Sequence, residues 1–536
     1  MRFANWNLFR AAGWVDSARF KMSSTVTPST APSQLLRFWL PCLGVALLVR
    51  LYFFSGLSMR DDVNYWLQSI ATGQDNSWPP LPTHWHLRIG FVLPCALLIK
   101  IFGLKLWVPY VFTMLGGLLE IVLVYFLTRE FVSERAAQLA AWLCVFFPLN
   151  ILYSTYLYVD LWSGVLGALS LFYWQRGLKQ ERTADYAWAS FYFGVAWLFR
   201  ETVVLMAPVY LGLWLQAGRW WRPKLVWAVP PALLLLAAEI WVYYVTTGNW
   251  HMRLDAMQTA QVDPTELEIL NASCFGGGYW TDPLCEIFIS HHLGLFFVAG
   301  FGFGLWHWRR CPRELLIWLV VGFGWLSWGP TGAHGWSPLQ RDPRYLSVLT
   351  FPCLALTAAG LLQLRSAVWR QVLVGILIVA GLFGAAVDLG RGKLSAYRKF
   401  GRAEKYNSPA TVLEPFVYFG VRAAQDFVPA RAHFSCATDL GRGSTVTGIV
   451  HLTGTQLAAS STAHYVVLSV QTHPEKWKTK MNLGWRKVEE FPGEGIWARD
   501  LTTRAVSKII GRKMDITPPS GLIVLENPAW TPVSGQ

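Results

Sequence analysis

PCLGVALLVRLYFFSGLSMRDDVNYW, residues 41–66, runs from an apolar stretch long enough to enter a bilayer straight into two adjacent carboxylates, Asp61 and Asp62. A helix needs about 20 apolar residues to cross the hydrocarbon core, so 38–57 reads as a first transmembrane span. The carboxylates beyond it have two readings. They are a solvated helix start, where Asp complements the helix dipole, or a reactive pair in which one carboxylate is a general base and its neighbour orients it.

The rest of the chain continues the apolar theme. Of 536 residues, 53% are hydrophobic, 15% are charged and 30 are Trp, with a formal net charge of +14. Soluble domains carry roughly 25% charged residues, so lipid is the main solvent here. Apolar runs bounded by charge or Pro occur at 38–57, 106–128, 136–149, 161–176, 186–199, 202–217, 224–246, 291–308, 314–329, 345–363 and 368–388. The expected fold is mainly α, a polytopic transmembrane helical bundle of about eleven spans with a C-terminal extracytoplasmic α/β domain.

Basic residues orient it. With the N-terminus cytoplasmic, the inside loops 129–135, 177–185, 218–223, 309–313 and 364–367 contain Arg129, Lys179, Arg222, Arg309 and Arg365, among others, as retention of positive charge inside requires. Segments 58–105, 150–160, 247–290, 330–344 and the tail from 389 then share the opposite face. The stretch LRIGFVLPCALLIKIFGLK (87–105) fits helices lying along the interface, since a crossing there would invert the pattern.

Three regions follow: a cytoplasmic segment 1–37 lacking a signal-peptide pattern, a transmembrane domain 38–390 with the external loop 58–105, and an α/β domain 391–536. In the last, TVLEPFVYFGVRAAQDF (411–427) reads as a helix, and AHYVVLSV (463–470) and EGIWARDL (494–501) read as strands. The eight cysteines show no metal-finger spacing. Cys274 and Cys285 share one polar stretch and would pair only if it faces an oxidising compartment.

The chemistry-bearing residues collect on the outer face near span ends: Asp61, Asp62, His84, His86, Arg88, Asp160, Arg200, Glu201, Arg341, Asp342 and Arg344. Asp160 is either a helix start or a second carboxylate facing a shared polar cavity. Arg200 and Glu201 are either a local ion pair or, for the Arg, a phosphate contact, because the guanidinium fork matches two phosphate oxygens. Arg88 and Arg344 invite the same comparison. The HWH at 84–86 has no further ligand at a diagnostic spacing, so a divalent metal is not indicated. GGG at 276–278 is not a phosphate loop. No nucleic-acid-binding motif accompanies the positive charge.

The segment RDDVNYW (60–66) resembles the Asp-Glu-x-x-Tyr signature of the glycosyltransferase C superfamily, specifically the protein-mannosyltransferase and aminoarabinose-transferase-like membrane enzymes. Asp61, Asp62 and Tyr65 fill its positions, with Asp62 in place of Glu. FGLKLWVPYVFTMLGGLLEIVLVYFLTREF (102–131), FPLNILYSTYLYVDLW (147–162), GVAWLFRETVVLMAP (194–208) and RDPRYLSVLTFPCLALTAAGL (341–361) follow in the family's order. Where the best-known members have Lys-Pro-Pro-Leu, this chain reads HLRIGFVLP (86–94), so Arg88 takes the place of the Lys.

The resemblance implies transfer of a sugar from a polyprenyl-phosphate donor to a hydroxyl acceptor (lipid, glycan or protein) on the outer face of a bacterial inner membrane, with inversion. Asp61 would be the base, with Asp62 beside it and Asp160 in support. Arg88, Arg200 and Arg344, with Tyr345, would meet the donor phosphate; Tyr65, His84, His86 and Glu201 would line the cavity. The donor arrives activated, so no nucleotide-binding fold is required. Two other classes compete. A secondary transporter would show paired repeats or broken helices, with charges near mid-span, and a membrane scaffold with a surface domain would carry no reactive cluster.

Overall fold

The computed structural model describes residues 32–54, 65, 68, 69, 72, 73, 87–103, 107–218, 222–259, 280–329, 342–388, 411–413, 465–469, 484–491 and 522–529. Asp61, Asp62, His84, His86, Arg341, Cys274 and the strand expected at 494–501 lie outside them.

Helix α1 (Pro32–Tyr52) carries the first apolar run. The chain divides within it into two units, Met1–Gly44 and Val45–Gln536, and all remaining elements belong to the second. These are α2 (Ile89–Phe102), α3 (Val108–Phe131), α4 (Glu134–Val145), α5 (Pro148–Ser154), α6 (Asp160–Gln180) and α7 (Thr183–Phe199). A 3-10 turn, Glu201–Met206, leads into α8 (Ala207–Gln216), and another, Pro223–Ala228, into α9 (Val229–Thr247). Then come α10 (Met252–Thr259), α11 (Asp282–Ile289), α12 (Phe296–Trp306) and α13 (Arg313–Trp328). The 3-10 turn Pro343–Leu349 runs into α14 (Thr350–Gln363), and α15 (Ala367–Asp388) follows.

Among the described residues, four helical stretches are long and apolar enough to cross a membrane: Val108–Phe131, Pro223–Thr247, Pro343–Gln363 and Ala367–Ala386. The pair α4 and α5, bent by 55°, makes a fifth if taken as one broken span. The 24 residues of α3 extend about 36 Å at about 1.5 Å per residue, which exceeds the roughly 30 Å hydrocarbon layer.

Three sequence expectations change in detail. The span read at 136–149 is broken, because Pro148 starts α5 and its ring prevents α4 from running through. The span read at 202–217 begins as a 3-10 turn, and that at 291–308 contains an α-helix only over Phe296–Trp306.

The centre is α14, whose residues Thr350–Leu361 are all buried. It packs against α12, α4 and α13. Its neighbours further out differ in character: Leu233, Leu234 and Trp241 on α9 and Val368, Trp369 and Val379 on α15 are exposed, an arrangement that hydrocarbon tails would cover. The protein is a membrane protein.

Toward the C-terminus lies a four-stranded sheet in the order β1-β2-β4-β3, with β1 Thr411–Leu413, β2 Tyr465–Ser469, β3 Arg486–Phe491 and β4 Leu522–Glu526. β1 and β2 are parallel; β4 is antiparallel to both β2 and β3. The strand read at 463–470 is β2. Thr411–Leu413, expected to open a helix, is instead a strand paired with β2, consistent with two adjacent β-branched residues, Thr411 and Val412.

Candidate functional site

Two helix ends and a 3-10 turn build the first cluster. Asp160 opens α6 and is buried. Arg200 ends α7 in an extended conformation (φ −158°, ψ 130°), which turns the chain out of the helix. Its Nη1 donates to both carboxylate oxygens of Asp160 at 2.5 Å, and its Nη2 donates to the Tyr345 hydroxyl at 3.0 Å. Asp342 caps the turn Pro343–Leu349 by accepting from the Arg344 amide at 3.1 Å, and Pro343 supplies the fixed φ of a first helical position. The cap places Arg344 Nε 3.1 Å from Asp342 and 3.9 Å from Asp160. The Tyr345 ring lies against both guanidiniums, 4.5 Å from that of Arg200 and 5.4 Å from that of Arg344.

The turn meets α6 closely. Ser347 Oγ donates to the Asp160 carbonyl at 2.9 Å, and Gly164 leaves the room: a Cβ there would sit 2.8 Å from Ser347 Oγ. Beside Asp160 a small cavity is lined by Ser163, Thr202, Tyr345 and Ser347. A second, lined by Glu286, Ser327 and Asp342, shares Tyr345 with it.

The second cluster begins one residue on. Glu201 lies between Arg88 Nη2 at 3.5 Å and Arg253 Nη1 at 3.8 Å. Arg253, on α10, donates through Nε to Glu239 of α9 at 2.9 Å and through Nη2 to the Leu87 carbonyl at 3.1 Å. The Tyr243 hydroxyl donates to the same carbonyl at 2.8 Å. The peptide just before Arg88 is thus clamped by α9 and α10. Trp197 Nε1 donates to Glu239 at 2.8 Å, and the Arg253 guanidinium lies 4.5 Å from the Trp197 ring. Tyr65, fully buried, places its ring 5.5 Å from the Arg88 guanidinium and edge-on to Phe91.

Four guanidiniums, of Arg88, Arg200, Arg253 and Arg344, therefore face four carboxylates, of Asp160, Glu201, Glu239 and Asp342. Glu201 sits between the spans read at 186–199 and 202–217. Burial pushes its carboxyl up, but Arg88, Arg200 and Arg253 outweigh burial and hold it well below the usual range, at about 2. Among the described residues no group of three or more His, Cys, Asp or Glu side chains is arranged to hold a metal ion.

The structure thus brings together Asp160, Arg200, Arg344 and Tyr345, and beside them Arg88, Glu201 and Tyr65. It adds Glu239 and Arg253, which the sequence reading passed over. Glu239 stood out in PPALLLLAAEIWVYYV (230–245) as a lone carboxylate in an apolar run, a pattern that at membrane depth marks a partnered, inward-facing group. Arg253 offered no comparable signal. Besides the candidates near span ends, two carboxylates the sequence reading did not weigh, Glu120 and Glu239, are buried in the middle of α3 and α9.

The dolichyl-phosphate-mannose-protein mannosyltransferase family matches residues 91–244, a stretch that contains Asp160, Arg200, Glu201 and Glu239. The glycosyltransferase C resemblance is borne out. The fold is similar to that of ArnT from Cupriavidus metallidurans bound to undecaprenyl phosphate, which superposes with a TM-score of 0.55 at 14% identity, over 93% of this chain and 100% of that one. Apo ArnT gives 0.55 at 13% identity with the same coverage. No curated protein matches the chain.

Proposed function

We propose that the protein is an integral-membrane inverting glycosyltransferase that moves a sugar from a polyprenyl-phosphate donor to a hydroxyl acceptor on the outer face of a bacterial inner membrane, its N-terminus cytoplasmic and residues 391–536 outside. One observation carries the reading. Tyr65, the last residue of the acidic motif and four positions after Asp61, is buried against Arg88. The motif therefore ends at a guanidinium cluster, and base and anionic leaving group need to share one site. The undecaprenyl phosphate bound by the ArnT fold relative supports the donor class.

In this reading Asp61 takes the acceptor hydroxyl proton as the oxygen bonds to the anomeric carbon, while the bond from that carbon to the phosphate oxygen breaks. Negative charge grows on the departing polyprenyl phosphate, and fixed cations stabilise it. Not every guanidinium is equally placed to do so. Arg200 is committed to Asp160 and Tyr345 at hydrogen-bonding distance. Arg88 and Arg253 hold Glu201 only at 3.5 and 3.8 Å, at or beyond hydrogen-bonding length. Because the cluster is balanced before the donor enters, a phosphate has to draw a guanidinium away from its carboxylate, and the Glu201 contacts are the ones that yield. Arg88 thus becomes the leading phosphate contact, joined by Arg253 through Nη1 alone, since its Nε and Nη2 stay on Glu239 and the Leu87 carbonyl, with Arg344 beside them and Arg200 with Asp160 the frame that holds the site.

The test is purified protein incubated with a panel of polyprenyl-phosphate sugars, scoring release of polyprenyl phosphate. Wild type is expected to release it with at least one donor, and Asp61→Asn to abolish release while still binding polyprenyl phosphate. A folded wild type inactive with every donor overturns the transferase reading; an active Asp61→Asn overturns the base.

A further inference from the structure

Beneath the site, inside the bundle, lies a polar cluster that the proposed chemistry does not use. Arg50 on α1, Glu120 on α3 and Asn150 on α5 are all buried. Asn150 Oδ1 accepts from Arg50 Nη2. Its Nδ2 donates to Glu120 Oε2 at 2.5 Å and to the Gly117 carbonyl at 3.2 Å. The amide thus uses its acceptor and both donors. Arg50 Nη1 donates within its own helix to the Ala46 carbonyl at 2.8 Å. The buried Thr350 hydroxyl makes no hydrogen bond among the described residues and lies near enough to Glu120 to act on its carboxylate.

These two neighbours of Glu120 sit at the roots of the two chain segments that form the site. Asn150 belongs to α5, which leads through Thr155–Val159 into Asp160. Thr350 directly follows the turn that carries Arg344, Tyr345 and Ser347. The two segments meet again at the top, where Ser347 Oγ donates to the Asp160 carbonyl. Close packing adds to the tie at the base, since a Cβ on Gly117 would run into Ser154 of α5. One carboxylate on α3 therefore closes a loop of contacts whose far side is Asp160, Arg200 and Tyr345. A guanidinium and a carboxylate are both costly to desolvate inside a bundle, and they sit against α5, which is buried along its whole length.

We propose that Glu120 is a positioning residue: through Asn150 and Thr350 it fixes the heights of the Asp160 and Arg344–Tyr345 segments relative to one another, and Arg50 keeps the Asn150 amide turned toward it. Its effect on sugar transfer rests on the glycosyltransferase reading; its effect on the two segments does not.

The experiment compares four full-length proteins in nanodiscs by hydrogen exchange and by transfer kinetics. Glu120→Gln is expected to speed amide exchange at least about 5-fold in both 155–160 and 343–349, and to lower kcat about 10-fold with donor KM within about 2-fold, because small displacements of positioning groups act on the chemical step. Thr350→Val, a milder change of nearly the same shape, is expected to loosen 343–349 alone, so the proposal survives a Glu120 variant that does not fold. Ser170→Ala removes a buried hydrogen bond between α6 and α7 on the Ser170 Oγ to Ala189 carbonyl contact and is expected to lower Tm without moving either segment or kcat. Unchanged exchange in both segments in Glu120→Gln, or equal loosening in Ser170→Ala, overturns the proposal. If wild type transfers no sugar, the functional reading fails while the exchange comparison still decides this one.

Discussion

Arg200 and Asp160, 40 residues apart in sequence, meet with one guanidinium nitrogen 2.5 Å from both oxygens of a carboxylate, and the side chains of both are at most 5% exposed. A buried pair of this kind is held more by the penalty for separating it than by its net gain. Removing one partner leaves an uncompensated buried charge, at about 3–5 kcal/mol, whereas removing both is often near neutral. Asp160→Asn and Arg200→Met are each expected to lower Tm strongly, and the double variant to lower it less than the sum of the two. A thermal-unfolding double-mutant cycle in detergent checks this; additive losses would mean the two side chains do not act as a pair.

The phosphate contacts make a different signature. If Arg88 and Arg253 meet the donor phosphate, each loses a charge-assisted hydrogen bond on substitution by Met, about 1.5–3 kcal/mol, or roughly 10- to 150-fold in polyprenyl-phosphate affinity. Arg200→Lys is expected to act less on affinity than Arg253→Met, since Arg200 is already engaged by Asp160 and Tyr345. Titration of the purified variants with polyprenyl phosphate separates the cases, and equal losses at Arg200 and Arg253 would return Arg200 to the phosphate.

What the sequence revealed depended on where each residue lies. Asp160, Arg200, Arg344 and Tyr345 interrupt or border apolar runs, so their burden of polarity was visible without knowing their partners. The partnerships were not visible. Arg200 to Tyr345 spans 145 residues, and nothing local to either residue encodes that contact; it follows from the way α7 and the turn before α14 flank α6. The span boundaries suffered for a related reason. Pro148 and the 3-10 turn at Glu201–Met206 bend or tighten the backbone inside stretches that hydropathy alone reads as continuous. Arg253 was missed because it sits among polar residues after α9, where a single Arg carries no periodic or hydrophobic contrast; only its contacts with Glu239 and the Leu87 carbonyl distinguish it.

The Glu201 carboxyl gives a pH dependence with a definite sign. Held at about 2 in the folded protein against about 4.3 in an unfolded chain, it contributes stability that is fully present above pH 4.3 and is lost as pH falls toward 2. The difference in Tm between wild type and Glu201→Gln is therefore expected to be constant from pH 8 to about 5 and to shrink below about 4.3. Above that range Glu201 stays ionised and, on the proposed function, competes with phosphate for Arg88 and Arg253. Glu201→Gln is accordingly expected to tighten polyprenyl-phosphate binding by a few-fold while lowering Tm. A Tm gap that widens on acidification would contradict the assignment.

Two glycines test how tightly the site is seated on α6, and a third, on α13, is the control. A Cβ on Gly164 would stand 2.8 Å from Ser347 Oγ and 3.0 Å from its backbone carbon, whereas one on Gly167 would meet only side-chain atoms, at 3.2 Å from Val348 and 3.6 Å from Val203. Backbone cannot give way as a Val methyl can. At Gly324, on α13, nothing lies within 4 Å, so Ala there gains helix propensity of about 1 kcal/mol without a clash. Gly164→Ala is expected to cost about 1–3 kcal/mol through overpacking and to lower transfer, because it lifts the turn carrying Arg344 and Tyr345 off Asp160. Gly167→Ala is expected to be close to neutral in both respects and Gly324→Ala to raise Tm. The order of Tm across the three, measured in one detergent, is the check, and a Gly164→Ala protein as stable and active as wild type would show that the turn does not depend on this seat.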